Sequence, residues 1–285
     1  RLAFDFQGAG EYVVVESITG EPFTIQARQE PISTGANASF CTDVTVNTAV
    51  ATNYLGKRVA FYSGRDGEGR RIMVDGTETD DLATVLQPPA GGAVIVDEPS
   101  FTLVWPTGES LRVELSNSIN IDVDLPAHRL GQIRGLLGNF NGDYMDDIHL
   151  RDGTVLDPPI MVSDFYDQYG ESWKVSDDES LFDYVDSADP STYSLDGYPV
   201  GVANYRDIPP ADRAGPEQEC EEAGIENEIV LAACVLDVLC RGNSSLIEWH
   251  RQIGEPKAEL PLVAEPIETS GAVAMIAPPP GVLPG

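Results

Sequence analysis

Thr42 to Val50 alternates polar and apolar residues (Thr-Asp-Val-Thr-Val-Asn-Thr-Ala-Val), the period of two expected of a strand with one face buried. Similar short runs occur at Tyr12 to Val15, Phe23 to Ala27, Val59 to Tyr62, Ile72 to Val74, Ala93 to Val96, Phe101 to Trp105, Leu111 to Leu115 and Ile119 to Leu125. Turn residues separate them, most clearly Gly64-Arg-Asp-Gly-Glu-Gly and Pro106-Thr-Gly-Glu. Nine strands at near-regular spacing, with no helical period between them, predict a mainly β fold: an antiparallel sandwich or open barrel over the first 125 residues.

The pattern changes after Asp152-Gly153. Pro158-Pro159 ends a segment, and Phe165, Tyr166, Tyr169 and Trp173 supply aromatic surface to pack back on the sheets. A helix is predicted from about Pro216, where proline suits the first turn and Glu217, Glu219, Glu221 and Glu222 suit its dipole, with Gly224 as the stop. A second is predicted over Glu228 to Leu239, with Ile229, Ala232, Ala233, Leu236 and Leu239 on one side. The sequence therefore divides into a β domain over 1–175, an acidic connector with a small helical subdomain over 176–253, and a Pro-rich tail over 254–285 that acts as a linker or a docking strand.

Four cysteines allow three pairings. Cys234 and Cys240 point to different sides of one predicted helix and should not pair. Cys220 lies just before that helix, and its expected partner is Cys234; Cys41 and Cys240 would then form a long-range pair or remain thiols. An even count favours an oxidising compartment, and Asn37 and Asn243 head glycosylation sequons. There is no C-x-x-C and there are only three histidines, so a zinc or iron–sulfur site is not expected. No run reaches the ~20 apolar residues of a membrane span; the longest, near Ile229 to Leu239, contains Asp237.

Charge adds a further constraint. With 47 acidic residues against 17 basic ones the formal net charge is −30, which repels phosphate backbones and anionic lipid and favours cationic partners and hard metal ions. The acids crowd: fourteen Asp or Glu lie between Asn141 and Pro190, against Arg151 and Lys174 alone.

Within that stretch, Arg134-Gly-Leu-Leu-Gly-Asn-Phe-Asn-Gly-Asp-Tyr-Met-Asp-Asp-Ile sets oxygen donors at alternate positions, Asn139, Asn141 and Asp143, followed by Asp146 and Asp147. Such spacing is how a calcium loop begins, since a hard cation needs six to eight oxygens and neutral Asn oxygens limit repulsion between carboxylates. Gly138 and Gly142 let the backbone curl, and Met145 can add a main-chain carbonyl. The twelfth position counted from Asn139 is Leu150 and not Glu, so the loop is not an EF-hand.

The same segment, Gly135-Leu-Leu-Gly-Asn-Phe-Asn-Gly-Asp-x-x-Asp-Asp, resembles the signature of von Willebrand factor type D domains. Phe4-Asp5-Phe, Gly10-Glu11-Tyr12, Phe23-Thr-Ile-Gln-Ala and Tyr169-Gly-Glu-Ser-Trp-Lys-Val agree with it, Ser180-Leu-Phe-Asp-Tyr is similar to the mucin-4-like branch, and Ala233-Cys-Val-Leu-Asp-Val resembles the helical module that often follows. The resemblance implies calcium bound by Asn139, Asn141, Asp143, Asp146 and Asp147, with Asp5 of the opening strand as remote ligand. Where the family has a cysteine this chain has Leu137, and no cysteine stands near Phe4, so apolar packing replaces one disulfide and cysteine-dependent multimerisation is not implied.

The expected function is a calcium-binding structural or adhesive module of a secreted or surface protein, with no catalytic role. Its partners would be other extracellular proteins or further copies of itself. An assembly subunit that docks its tail on a neighbour, and a secreted hydrolase with a structural calcium, are the alternatives. The chain has no Gly-x-Ser-x-Gly elbow and no His-Glu-x-x-His helix. His149 is expected to pack, and Asp177-Asp178 to face solvent or metal, in preference to acting as acid and base.

Overall fold

The computed structural model describes residues 2–32, 41–64, 69–201, 205–241, 246–252, 258–259 and 262–263. After a two-residue strand β1 (Leu2–Ala3), the chain lays down β2 (Gly10–Ser17), β3 (Thr24–Pro31), β4 (Thr45–Tyr54), β5 (Lys57–Tyr62), β6 (Arg71–Val74) and β7 (Thr77–Glu78). A short helix α1 (Leu82–Leu86) leads to β8 (Ala93–Asp97), β9 (Ser100–Val104), β10 (Ser110–Leu115) and β11 (Ile119–Asp124). The pair β12 (Ile133–Arg134) returns to β2. Two sheets result: a seven-stranded one ordered β12-β2-β3-β4-β5-β6-β7 and a four-stranded meander ordered β11-β10-β9-β8. All nine predicted strands are present, and the predicted sandwich is the fold.

Alternation explains the two faces of the large sheet. Val59 and Phe61 on β5 turn into the sandwich, where they meet Leu103, Leu111 and Val113 of the small sheet; Ala60 and Tyr62 turn outward. The outer face carries small residues, Ala49, Ala51 and Ala60, and the segment after Glu179 lays Phe182 on them. Trp105 closes one end of the core with edge-to-face contacts to Phe23 (4.8 Å) and Tyr54 (4.9 Å). Fully burying such a side chain is worth about 1.5–3 kcal/mol, and the aromatic geometry adds about 1 kcal/mol per pair.

The stretch between β7 and β8 corrects the expectation of no helix among the strands. Asp81 accepts a hydrogen bond from the Thr84 N–H (3.1 Å), which caps α1, and Leu82 and Leu86 are buried in the main core. A single turn shows no sustained 3.6-residue period, so the sequence pattern does not reveal it.

A second core lies around Tyr12 and Val13 of β2. A π-helical turn over Asp164–Gly170 brings Phe165, Tyr166 and Tyr169 against Phe4 and Phe6, as the aromatic run predicts; Trp173 and Val175 complete it. The strand β13 (Ile160–Met161) lies beside it.

The C-terminal part contains α2 (Pro210–Glu222), α3 (Glu228–Arg241) and α4 (Leu246–Gln252). Two expectations need correction. The first helix starts at Pro210, whose ring takes the first-turn position assigned to Pro216, and Pro216 lies inside the helix. The buried side of α3 is Val230, Leu231, Cys234, Val235 and Val238, and Ala233 of the predicted face is exposed. Cys234 sets this orientation, because its disulfide to Cys220 turns that side toward α2. The other disulfide, Cys41–Cys240, joins this module to the β domain across 199 residues. The expected Cys220–Cys234 pairing is therefore formed, and of the two alternatives left open for Cys41 and Cys240 the long-range pair is the one present. From the tail, β14 (Ala258–Glu259) pairs in parallel with β1, and β15 (Leu262–Val263) with β13. The sequons at Asn37 and Asn243, and the tip of the Gly64–Gly69 turn, lie outside the described residues. No helix among the described residues is long and apolar enough to cross a membrane.

Candidate metal centre

The loop that follows β12 is held against β2 by main-chain bonds from Leu136 N to Val13 O (3.0 Å) and from Leu137 N to Val14 O (3.2 Å). Gly135 makes this approach possible: a Cβ there would stand 2.3 Å from the Val14 carbonyl oxygen. Gly138 (φ +93°) turns the chain, and a Cβ on it would meet the Asp147 carboxylate at 2.5 Å.

Three side-chain oxygens then bond in register to main-chain donors two residues on. Asn139 Oδ1 accepts from Asn141 N (3.0 Å), Asn141 Oδ1 from Asp143 N (2.7 Å), and Asp143 Oδ1 from Met145 N (3.0 Å). This ladder of Asx turns is the physical meaning of the alternate spacing. It ends in one 3-10 turn, Tyr144–Asp146, capped by Asp143, which folds Asp146 and Asp147 back over the start of the loop. There Asn139 Nδ2 donates to Asp146 Oδ1 (2.9 Å), Asn141 Nδ2 to Asp146 Oδ2 (2.8 Å), and Asn139 N to Asp147 Oδ1 (3.3 Å).

Asn139, Asn141, Asp146 and Asp147 thus come together, with Asp143 on the flank and Met145 exposed beyond it. Burial, and after it the adjacent Asp146 charge, raise the Asp147 carboxyl above its ordinary range, while the Asn139 N–H opposes the shift. Among the described residues no Lys or Arg pairs with Asp143, Asp146 or Asp147, and no three His, Cys, Asp or Glu converge as a preformed metal cluster.

The donor chemistry fits a hard cation. It is all oxygen, it crowds two adjacent carboxylates with no Lys or Arg paired to them among the described residues, and each Asn Oδ1 keeps a lone pair beyond the one its N–H bond uses. The two amide N–H groups on Asp146 supply the positive dipole that a cation would supply more strongly.

Asp5 makes no hydrogen bond to this group among those of the described residues. Phe4 and Phe6 turn inward against Phe165 and Tyr169, so Asp5 turns the other way and accepts a hydrogen bond from Gln7 Nε2. Burial raises its carboxyl to about 6, against the Gln7 bond and with help from the Asp237 charge on α3. The residue retains solvent-facing surface, so this is a crowded cleft and not a dry interior.

Other acid–base candidates are already engaged. His149 is buried, with Nδ1 3.0 Å from the Asp147 carbonyl oxygen and its ring edge-on to Trp173 (5.5 Å), whose indole N–H donates to the His149 carbonyl (3.0 Å). Asp177 and Asp178 are exposed, and Asp178 accepts from Ser176 Oγ. Sequence reasoning did not find the group Asp237, His250 and Arg241, in which Asp237 bonds His250 Nε2 (2.8 Å) and Arg241 (3.2 Å). The spacings of Asp237 to Arg241 (i, i+4) and to His250 on the next helix were the available signal.

The von Willebrand factor type D domain profile matches residues 1–154 of this chain. Sushi domain-containing protein 2 of Homo sapiens is 30% identical over 194 residues, covering 64% of this chain and 22% of that protein. Zonadhesin of Sus scrofa is 29% identical over 110 residues (39% of this chain, 4% of that protein), and SCO-spondin of Bos taurus 29% over 180 residues (61% and 3%). The chain thus spans at most 22% of the length of these relatives.

Proposed function

The chain belongs to the von Willebrand factor type D domain family, and on that premise we propose that it is a calcium-stabilised structural or adhesive module of an extracellular protein, without catalytic activity. The observation that carries the reading is the loop itself: its oxygens are ordered by an Asx ladder, while its carboxylates have no basic partner among the described residues. Asn139, Asn141, Asp143, Asp146 and Asp147 would hold the ion with the Met145 carbonyl. Asp5 is the remote ligand in this proposal, for which Gln7 competes. Bound calcium supplies the missing positive charge and no chemistry.

The two disulfides support an oxidising, extracellular setting. Leu137 at the family's cysteine position and the packed Ser180–Tyr184 segment support the mucin-4-like branch, with 210–252 as the following helical module. The division into 1–175, 176–253 and 254–285 belongs to the same proposal, as do other extracellular proteins or further copies as partners. The tail strands β14 and β15 favour docking strand over free linker.

Calcium that binds only the folded state stabilises it by RT ln(1 + [L]/Kd), about 1 kcal/mol at millimolar calcium for an extracellular-type Kd. Chelator should therefore lower the melting temperature by roughly 2–4 °C, and calcium should restore it far better than magnesium, which demands a tighter octahedron. Asp147→Ala and Asp143→Ala should remove the response, and Asp178→Ala should keep it. A melting temperature that is identical in chelator and in calcium refutes the reading.

A further inference from the structure

Fourteen large apolar side chains are exposed among the described residues, and six of them gather at one place: Ile18, Leu130, Leu137, Phe140, Tyr144 and Met145. Two main-chain hydrogen bonds bring together the three segments that carry them. Ile18 N donates to Gln132 O (2.8 Å) and Gly131 N to Phe140 O (3.0 Å), which ties the β2 end and the Leu130 turn to the loop carrying the other four. The exposed side of the loop thus carries Leu137, Phe140, Tyr144 and Met145 together with Asn141 and Asp143, while Asn139, Asp146 and Asp147 are half-buried. Phe140 is held at φ +51°, a left-handed conformation that a bulky residue adopts only at a cost. Leu137 and Met145 are 54% and 57% exposed, where the hydrophobic effect alone would hide them; this corrects the expectation that apolar packing at Leu137 takes the place of a disulfide.

We propose that this outer face is a docking surface for a segment of a partner protein in which basic side chains flank an aliphatic or aromatic one. Methionine and aromatic residues are enriched at the cores of protein interfaces. The occupant's charge follows from the rim, where Asp143 and Asp146 bracket Tyr144 and Met145, and from the −30 charge of the whole chain, which disfavours a second copy. The proposal deepens the adhesive reading by giving the partner its chemistry, and it does not depend on the ion.

The test uses the full chain and two labelled probes, a short Lys/Leu peptide with a central Trp and its Glu/Leu counterpart. Their binding is followed by fluorescence anisotropy in chelator at about 0.15 M salt. The Lys peptide should bind the parent chain and lose about tenfold in affinity with Phe140→Ser/Met145→Ser, but lose nothing with Ile95→Ser/Val96→Ser, an equally exposed apolar pair on β8. Leu130→Ser/Leu137→Ser, which leaves every ladder residue in place, should weaken binding equally without changing the calcium response of the melting temperature. Equal affinity of the parent and the first two patch variants overturns the proposal, because the peptide is then held by overall charge. Self-association of the parent that the patch variants abolish also overturns it, since the occupant is then a second copy. A chain that binds the peptide at this face yet ignores calcium leaves the docking surface standing and removes the metal reading alone.

Discussion

Two groups of acids lie on either side of the Leu130 turn, and they are neutralised differently. On one side Glu109 is fully buried and meets the buried Arg129, whose guanidinium also donates to the main-chain oxygens of Thr19 (3.3 Å) and Glu21 (3.0 Å). Glu16 is similarly matched by Arg134 (2.8 Å) and Arg151 (3.1 Å). On the other side, from Asn139 to Asp147, two adjacent carboxylates meet only amide and main-chain N–H groups. The first group carries its own cation and completes the sandwich unaided. The second has a backbone built to gather negative charge and, among the described residues, no Lys or Arg paired with it, which is why an outside cation is proposed for it. Within one acidic chain, then, what separates a structural acid from a candidate ligand is the presence of an arginine. Burial does not separate them.

The largest expected effect tests the self-sufficient side. Glu109→Gln leaves the Arg129 charge buried without its partner and should cost about 3–5 kcal/mol, a fall in melting temperature on the order of 10 °C. The corresponding change in the loop, Asp146→Asn, should cost almost nothing in chelator. Equal losses would erase the distinction. A smaller effect is expected of Gly138→Ala, which strains a left-handed backbone by about 1–2 kcal/mol and pushes on the Asp147 carboxylate. It should therefore abolish the calcium response while leaving a folded chain, and a retained response would show that the Asp147 position is immaterial.

The smallest effect sharpens the comparison through pH. Burial alone would raise the Glu109 carboxyl, but hydrogen bonds from Thr107 and Arg129 together with the Arg129 charge outweigh it and hold the group below its ordinary 4.5. In the unfolded chain the group binds its proton more readily, so its contribution to stability is complete above about pH 4.5 and drains away below it. Melting curves of the parent and Glu109→Gln should consequently draw closer in acid. A gap of constant size down to about pH 3 would show that the pair is not what titrates.

The strands and the Asx-turn loop were legible in the sequence because both are periodic and local. Val59 to Tyr62 announces its two faces by simple alternation, and Asn139, Asn141 and Asp143 announce a ladder because each oxygen bonds the N–H two residues on. What stayed hidden depends on contacts through space. One turn of helix at Leu82–Leu86 is fixed by burial in a core formed by distant strands. The buried side of α3 is chosen by the disulfide to Cys220, which helical period alone does not specify. Asp5 shows the same limit: alternation places it opposite Phe4 and Phe6, but only the folded chain shows that Gln7 is its hydrogen-bond partner and that the charge of the distant-in-sequence Asp237 acts on it.

The Cys41–Cys240 bond has a mechanical consequence. Pulled from its two ends, the chain transmits tension directly from residue 41 to residue 240, and the loop between them, closed over a sequence separation of 199 and holding most of both sheets and the acidic loop, bears no load. Its contour, roughly 650 Å if fully extended, is withheld from stretching for as long as the covalent bond lasts. What remains free to extend is the chain outside that bond, so force would peel β2 and β3 from the large sheet and draw out the tail strands while β4 to β11 kept their shape.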